Sequence, residues 1–167
     1  MRERSHKKGE DYQQDVIHWL IRSGFLGFEA ESFGDAYDVT CKACKIGGLV
    51  FDFSLKLRRG EMTRRILYGE CKYRNERRGN LDREFEEFLG RVYRALAGGE
   101  PDEADNAVFV FLSNIPVSGW RDYLRDRQKF CEARVIWGTE LRSGPVLARV
   151  VQSVHLLTLS SDIVSRG

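Results

Sequence analysis

Apolar positions repeat along this chain with two different periods, and the switches between them mark its elements. From about Gly9 to Arg22, the residues Tyr12, Val16, Trp19 and Leu20 fall on one helical face, and Ser23-Gly24 ends the helix. From about Phe28 to Tyr73 the pattern is one of strands and turns. Val39 and Cys41 lie in one short run, and Gly47-Gly48 makes a turn. In Leu49 to Leu57, the residues Leu49, Phe51, Phe53, Leu55 and Leu57 alternate with Val50, Asp52, Ser54 and Lys56. That alternation predicts one strand with a single buried face. Arg58 to Arg65 reads as a charged loop, and Ile66 to Tyr73 as a second strand.

The helical period then returns. Asn80 is placed to cap a helix running to about Ala97, with Leu81, Phe85, Phe88, Leu89, Val92 and Leu96 on its core face. Gly98-Gly99 stops it, and Pro101 to Asn106 reads as a polar loop. Ala107 to Leu112 is a continuous apolar run, as expected of a buried strand. Trp120 to Phe130 predicts a short charged helix, and Ala133 to Trp137 another buried strand. The remainder, Thr139 to Gly167, is mixed: Val146, Leu147, Val150, Val151 and Val154 have helical spacing but are largely β-branched. With no internal repeat or linker, residues 1–167 read as a single domain. Its order of elements predicts an α/β (α+β) class, a mixed sheet flanked by helices.

Composition narrows the function classes. The 167 residues carry a formal net charge of only +2, but the basic residues cluster. Arg2, Arg4, Lys7 and Lys8 sit at the N-terminus. Arg58, Arg59, Arg64, Arg65, Lys72, Arg74, Arg77 and Arg78 crowd a second segment. Such clusters suit a phosphate backbone, and Arg74, Arg77 and Arg78 are candidate nucleic-acid contacts. The basic N-terminus lacks the apolar region of a secretory signal, and no apolar run approaches the ~20 residues of a membrane helix. The expectation is a soluble, cytoplasmic protein with no membrane partner and four reduced cysteines.

The chemistry concentrates in Leu67-Tyr68-Gly69-Glu70-Cys71-Lys72. On a strand Glu70 and Lys72 share a face, where an apolar strand would bury both. Asp52 lies on the polar side of the preceding strand. If the two strands pair as a hairpin, Asp52 and Glu70 converge. Two carboxylates so placed repel unless a cation sits between them, and a hard divalent ion with oxygen ligands resolves the conflict. The neighbouring Lys72 can hold an attacking water or offset charge on a phosphate.

These pieces carry a resemblance. The opening Lys8-Gly9-Glu10-Asp11-Tyr12-Gln13 helix, the Asp52 strand, Glu70-Cys71-Lys72, the amphipathic helix after it and the Val108-to-Leu112 strand are similar, in that order, to the PD-(D/E)XK nuclease superfamily. Phe111-Leu112-Ser113-Asn114 and Val135-Ile136-Trp137 resemble its later strands. The resemblance implies a restriction-endonuclease-like mixed central sheet flanked by helices. It also implies Mg²⁺-dependent (or Mn²⁺-dependent) endonucleolytic hydrolysis of DNA phosphodiesters, as in restriction, repair or phage defence. Asp52 and Glu70 would bind the metal together with the backbone carbonyl of Cys71, and Lys72 would support the nucleophilic water. Many members carry a Glu on the first helix after an aromatic residue. Here Gln13 follows Tyr12 and Glu10 stands three residues earlier, so both are further candidates. Asp38, at the start of a strand-like run, is a second candidate for the metal-binding Asp. Asp52 is preferred because its strand is better defined and directly precedes that of Glu70.

Two other functions stay open: a catalytically inactive nuclease-like protein that binds nucleic acid or organises a complex, and an RNA nuclease. By analogy, a second copy of the chain or a separate partner protein would select the target. Cys41 and Cys44 look like half of a zinc ribbon without its second pair, so ordinary thiols are the preferred reading. Cys71 is expected to point into the core. Trp19, Trp120 and Trp137 stand in apolar contexts that predict core packing.

Overall fold

The computed structural model describes residues 2–23, 29–30, 44–59, 63–75, 80–134 and 144–165. Helix α1 (Arg2–Ser23) opens the chain and begins earlier than the apolar period suggested. The strands β1 (Glu29–Ala30), β2 (Cys44–Ile46), β3 (Leu49–Phe51), β4 (Phe53–Arg59) and β5 (Thr63–Lys72) follow. Helices α2 (Leu81–Gly98) and α3 (Pro101–Asn106) lead to β6 (Ala107–Ser113). Helices α4 (Trp120–Arg125), α5 (Arg127–Arg134) and α6 (Gly144–Ser153) lead to β7 (Val154–Thr158), and α7 (Ser161–Ser165) closes the described chain.

The main sheet is mixed and has the order β1-β4-β5-β6-β7. Strands β1, β4 and β5 are antiparallel neighbours, whereas β5-β6 and β6-β7 are parallel. Parallel neighbours need crossovers, and helices α2 to α6 supply them. Strand β6 shows the layering most plainly, because all seven of its residues are buried. Phe109 and Phe111 enter one core with Phe85, Phe88, Val92, Tyr123 and Val150. Val108, Val110 and Leu112 enter another with Tyr12, Val16, Ile17 and Leu20 of α1 and Val164 of α7. The expected mixed sheet flanked by helices is present, with helices on both faces.

Several local expectations are corrected. The alternating run Leu49 to Leu57 is not one strand. It breaks at Asp52, and β3 pairs with β2 in a separate two-stranded sheet. Phe51 joins the α2-side core while Phe53 and Leu55 join the α1-side core. Residues two apart on a straight strand share a face, so burying Phe51 and Phe53 on opposite faces requires the bend. Ser54, expected on the polar side, is buried. Most of the predicted charged loop Arg58 to Arg65 is strand. Its β4-β5 hairpin has the register Phe53↔Gly69 through Arg59↔Thr63, and residues 60–62 lie outside the described residues.

Asn80 occupies the predicted N-cap position of α2, but its side chain makes no capping bond; only its carbonyl accepts, from Glu84 N–H at 2.9 Å. Pro101 to Asn106 is a short helix, its proline at the helix start where no N–H is needed. The single predicted helix Trp120–Phe130 is two helices broken at Asp126. Ala133 and Arg134 end α5 and are not strand, while Val135, Ile136 and Trp137 lie outside the described residues. Strand β7 went unpredicted because five residues cannot be told from the end of a β-branched helix by periodicity. The apolar C-terminal stretch is core: Leu147, Val150, Val154 and Leu159 are buried. Trp120 is an exposed large side chain with Arg121 over its ring, contrary to the core expectation. Among the described residues no helix is long and apolar enough to cross a membrane.

Two glycines are required by close approach. Gly47 and Gly48 have φ of 54° and 77°, the left-handed conformation of a tight hairpin turn. A Cβ on Gly47 would also stand 2.6 Å from the Ala95 carbonyl oxygen of α2. A Cβ on Gly69 would stand 2.0 Å from the Phe53 ring. Gly69→Ala is therefore expected to destabilise the protein by about 1–3 kcal/mol, the cost typical of overpacking, because Phe53 must leave its place in the α1-side core. Urea denaturation of the variant checks this, and an unchanged midpoint would contradict the packing.

Candidate active site

Antiparallel pairing between β4 and β5 ends at Phe53↔Gly69, one residue before Glu70. Beyond that point β5 is still paired with β6 through Glu70↔Phe111, Cys71↔Leu112 and Lys72↔Ser113. Its other edge has lost its strand partner, because the chain bends away at Asp52. The side chain of Asp52 replaces the missing strand: its Oδ2 accepts from the Cys71 backbone N–H at 2.9 Å. Helix α1 reaches the same point, with Gln13 Nε2 donating to the Asp52 carbonyl at 3.5 Å.

Glu70 shares its face of the strand with Tyr68, and Tyr68 belongs to the α2-side core. Glu70 is only 3% exposed, a rare state for a carboxylate. Two cations compensate it, and both do so at the same oxygen. Lys72 Nζ lies 2.7 Å from Glu70 Oε1, and an Arg91 NH2 group lies 2.9 Å from it. The second oxygen, Oε2, is buried and has no hydrogen-bond partner among the described residues. Arg91 also donates to the Val50 carbonyl at 3.2 Å and lies over the Phe51 ring at 5.5 Å.

Arg91 is the site residue that the sequence reading missed. A signal for it exists: Phe88, Arg91 and Ala95 are three and four residues apart, so Arg91 interrupts a row whose neighbours are both buried. Glu84, one helical step earlier on the same side, pairs with Arg74. Arg74 is further held by Asn114. The Asn114 side chain accepts from its N–H at 2.8 Å and donates to its carbonyl at 2.7 Å, extending the β5-β6 contact by one residue. Arg74, a candidate phosphate contact, is thus engaged within the protein.

Of the other sequence candidates, Glu10 is exposed on α1, one helical step before the partly buried Gln13. Asp38, Arg77 and Arg78 lie outside the described residues, as does Cys41 of the half zinc ribbon. The structure therefore brings together Asp52, Glu70, Cys71 and Lys72, with Gln13 and Arg91 beside them. Cys71 packs partly buried against the α1-side core, as expected. Burial pushes its thiol well above the usual range, and the charges of Asp52 and Glu70 push the same way against Lys72. A thiol so held stays protonated, which limits Cys71 to its backbone groups.

Among the described residues no group of three or more His, Cys, Asp and Glu side chains is placed to hold a metal. The donor set still fits a hard divalent cation. Such ions are held by one or two carboxylates while keeping several waters. Here two carboxylates interact, and one carries a buried oxygen with no partner. No protein-family model matches the chain, and no curated protein or solved structure matches it.

Burial raises the Asp52 carboxyl above its usual range, and the charge of Glu70 adds to this. The Cys71 N–H, Lys72 and Arg91 oppose the rise without cancelling it. Between the ordinary and the raised value, folded Asp52 keeps a proton that the unfolded chain has released. Its contribution is thus fully present below the ordinary value and is lost as pH rises through the raised one. In the absence of divalent ions, wild-type stability is expected to fall relative to Asp52→Asn as pH rises from the ordinary carboxyl range through the raised Asp52 value. Thermal unfolding across that range checks the sign, and parallel curves for the two proteins would contradict it.

Proposed function

We propose that this chain is a Mg²⁺-dependent (or Mn²⁺-dependent) endonuclease that hydrolyses DNA phosphodiester bonds, with a restriction-endonuclease-like fold of the PD-(D/E)XK kind. The observation that carries the reading is the Oε2 of Glu70, buried and without a hydrogen-bond partner among the described residues, on a carboxylate that pairs with Lys72 through Oε1 and interacts with Asp52. A buried carboxylate oxygen without a partner costs free energy, of order 1–3 kcal/mol, and a ligand that occupies it removes that cost.

In this reading Asp52 and Glu70 hold the cation. The Cys71 carbonyl is available as well, since on a strand it faces the same edge as the N–H that binds Asp52. When bound, the cation lowers the pKa of a coordinated water and offsets charge on the phosphate. Lys72 holds the attacking water by its ammonium and stabilises charge as the phosphorus becomes five-coordinate. The backbone N–H of Cys71 and the side chain of Gln13 fix Asp52 in place. The orientation of Lys72 comes from the β5-β6 pairing, which runs through Lys72↔Ser113.

One observation favours a second reading, a nuclease-like protein that binds nucleic acid or organises a complex without cutting. Asp52 and Glu70 already face two cations, Lys72 and Arg91, so the site is charge-balanced as it stands. RNA is the competing substrate within the leading reading. A second copy or a separate protein is proposed to select the target.

Supercoiled, linear and single-stranded DNA and an RNA duplex, each incubated with the protein and Mg²⁺, test the proposal. Cleavage of DNA is expected, with loss of at least about a thousandfold in Glu70→Gln and Lys72→Met, because the uncatalysed reaction is extremely slow. Chelation should abolish activity, and Mg²⁺ should raise the wild-type melting temperature but not that of Glu70→Gln. Unaltered cleavage by Glu70→Gln would overturn the assignment. Cation binding without cleavage would favour the non-cutting reading, and cleavage confined to RNA would change the substrate.

A further inference from the structure

We infer that Arg91 is a positioning residue of this site: it holds Glu70 by one carboxylate oxygen and so keeps the other available to a divalent cation. The inference rests on the metal-dependent reading above and assigns a role to a residue outside the proposed catalytic set.

The guanidinium makes three contacts that belong together. One NH2 group donates to Glu70 Oε1 at 2.9 Å, the other donates to the Val50 carbonyl at 3.2 Å, and the plane lies over the Phe51 ring at 5.5 Å. Val50 and Phe51 lead directly into the bend at Asp52. A single rigid fork on α2 thus grips both segments that carry carboxylates. Lys72 cannot do this, since its ammonium is a compact charge on a flexible stem that can bridge either oxygen of its partner. With Arg91 anchored on Val50 and Phe51, Glu70 is drawn toward α2 by Oε1, and Oε2 is left buried without a partner among the described residues.

Charge and position predict opposite signs. If Arg91 merely balanced charge, removing it would take a positive group away from the cation and strengthen cation binding. If it positions Glu70, removing it lets the carboxylate turn and weakens cation binding. Lysine at 91 separates the two, because it keeps the charge but cannot satisfy Glu70, the Val50 carbonyl and the Phe51 ring at once.

The test uses the full chain with Arg91→Lys and Arg91→Met, each also combined with Glu70→Gln. Mg²⁺ and Mn²⁺ titrations are followed by thermal shift, with near-ultraviolet circular dichroism to verify packing. Positioning predicts that both variants raise the cation midpoint by about 10–100-fold, the usual effect of losing a group that orients a ligand. In the cleavage assay at saturating cation, kcat should fall while KM for DNA stays near the wild-type value. Without cation, Arg91→Met should lower the melting temperature by several degrees, and by much less in the Glu70→Gln background. Tighter cation binding by Arg91→Met, with Arg91→Lys like wild type, would overturn the inference in favour of charge balance. Equal melting losses in both backgrounds would overturn it in favour of packing on Phe51. If wild type shows no cation-dependent shift, the metal reading itself fails. The melting comparison then still decides whether Arg91 holds Glu70.

Discussion

A carboxylate placed inside an apolar layer must be compensated or neutralised, and Glu70 imposes that demand on the rest of this fold. Its own strand supplies Lys72 two residues on, where the pleat brings both to one face. A single, partly exposed ammonium leaves so deep a charge only partly compensated. The second cation comes from the helix packed over that face, which explains why α2 carries Arg91 within an otherwise buried row. Lys72 comes from the strand and Arg91 from the helix, so the two elements are bound to one another by charge as well as by packing. Yet both cations converge on one oxygen. The arrangement compensates the charge of Glu70 at Oε1 while Oε2 has no hydrogen-bond partner among the described residues.

The bend at Asp52 is the geometric counterpart of this electrostatic constraint. Phe51 and Phe53 are buried in cores on opposite faces of the sheet, which no straight strand permits. The Phe53 ring lies over Gly69, and there the ladder stops. The edge groups of β5 would be orphaned beyond that point, and the Asp52 side chain takes up the Cys71 N–H. One local kink thus buries two aromatics, ends a strand pairing and delivers a second carboxylate to the neighbourhood of Glu70. Burial first, and then the charge of Glu70, raise the Asp52 carboxyl above its usual range.

Much of this was legible in the chain. The period-3.6 face of α2, the fully apolar β6 and the Gly47-Gly48 turn depend on local patterns that tertiary packing reinforces. Glu70 and Lys72 stood out because they occupy strand positions that apolar residues would fill. Other features were hidden. Leu49 to Leu57 alternates well enough to read as one strand, since alternation records which residues are buried but not which of two cores receives them. Strand β7 is too short to separate from the helix before it. Arg91 was marked only by its interruption of an apolar row, and its place in the site was hidden because its partners, Glu70 and Val50, lie some twenty and forty residues away along the chain.

The sequence by itself determined the mixed order of helices and strands, the Glu70-Cys71-Lys72 strand as the place where charge interrupts an apolar element, and Asp52 as a neighbouring carboxylate. Tertiary structure alone decided where the Asp52 strand breaks, that Arg91 joins the site, that Arg74 is tied to Glu84 and Asn114, and which oxygen of Glu70 takes both cations. The reason is one of range. Periodicity and turn chemistry act over a few residues. The solvation of a buried charge is settled by whatever groups the fold brings within hydrogen-bonding distance, and their separation along the chain has no bearing on it.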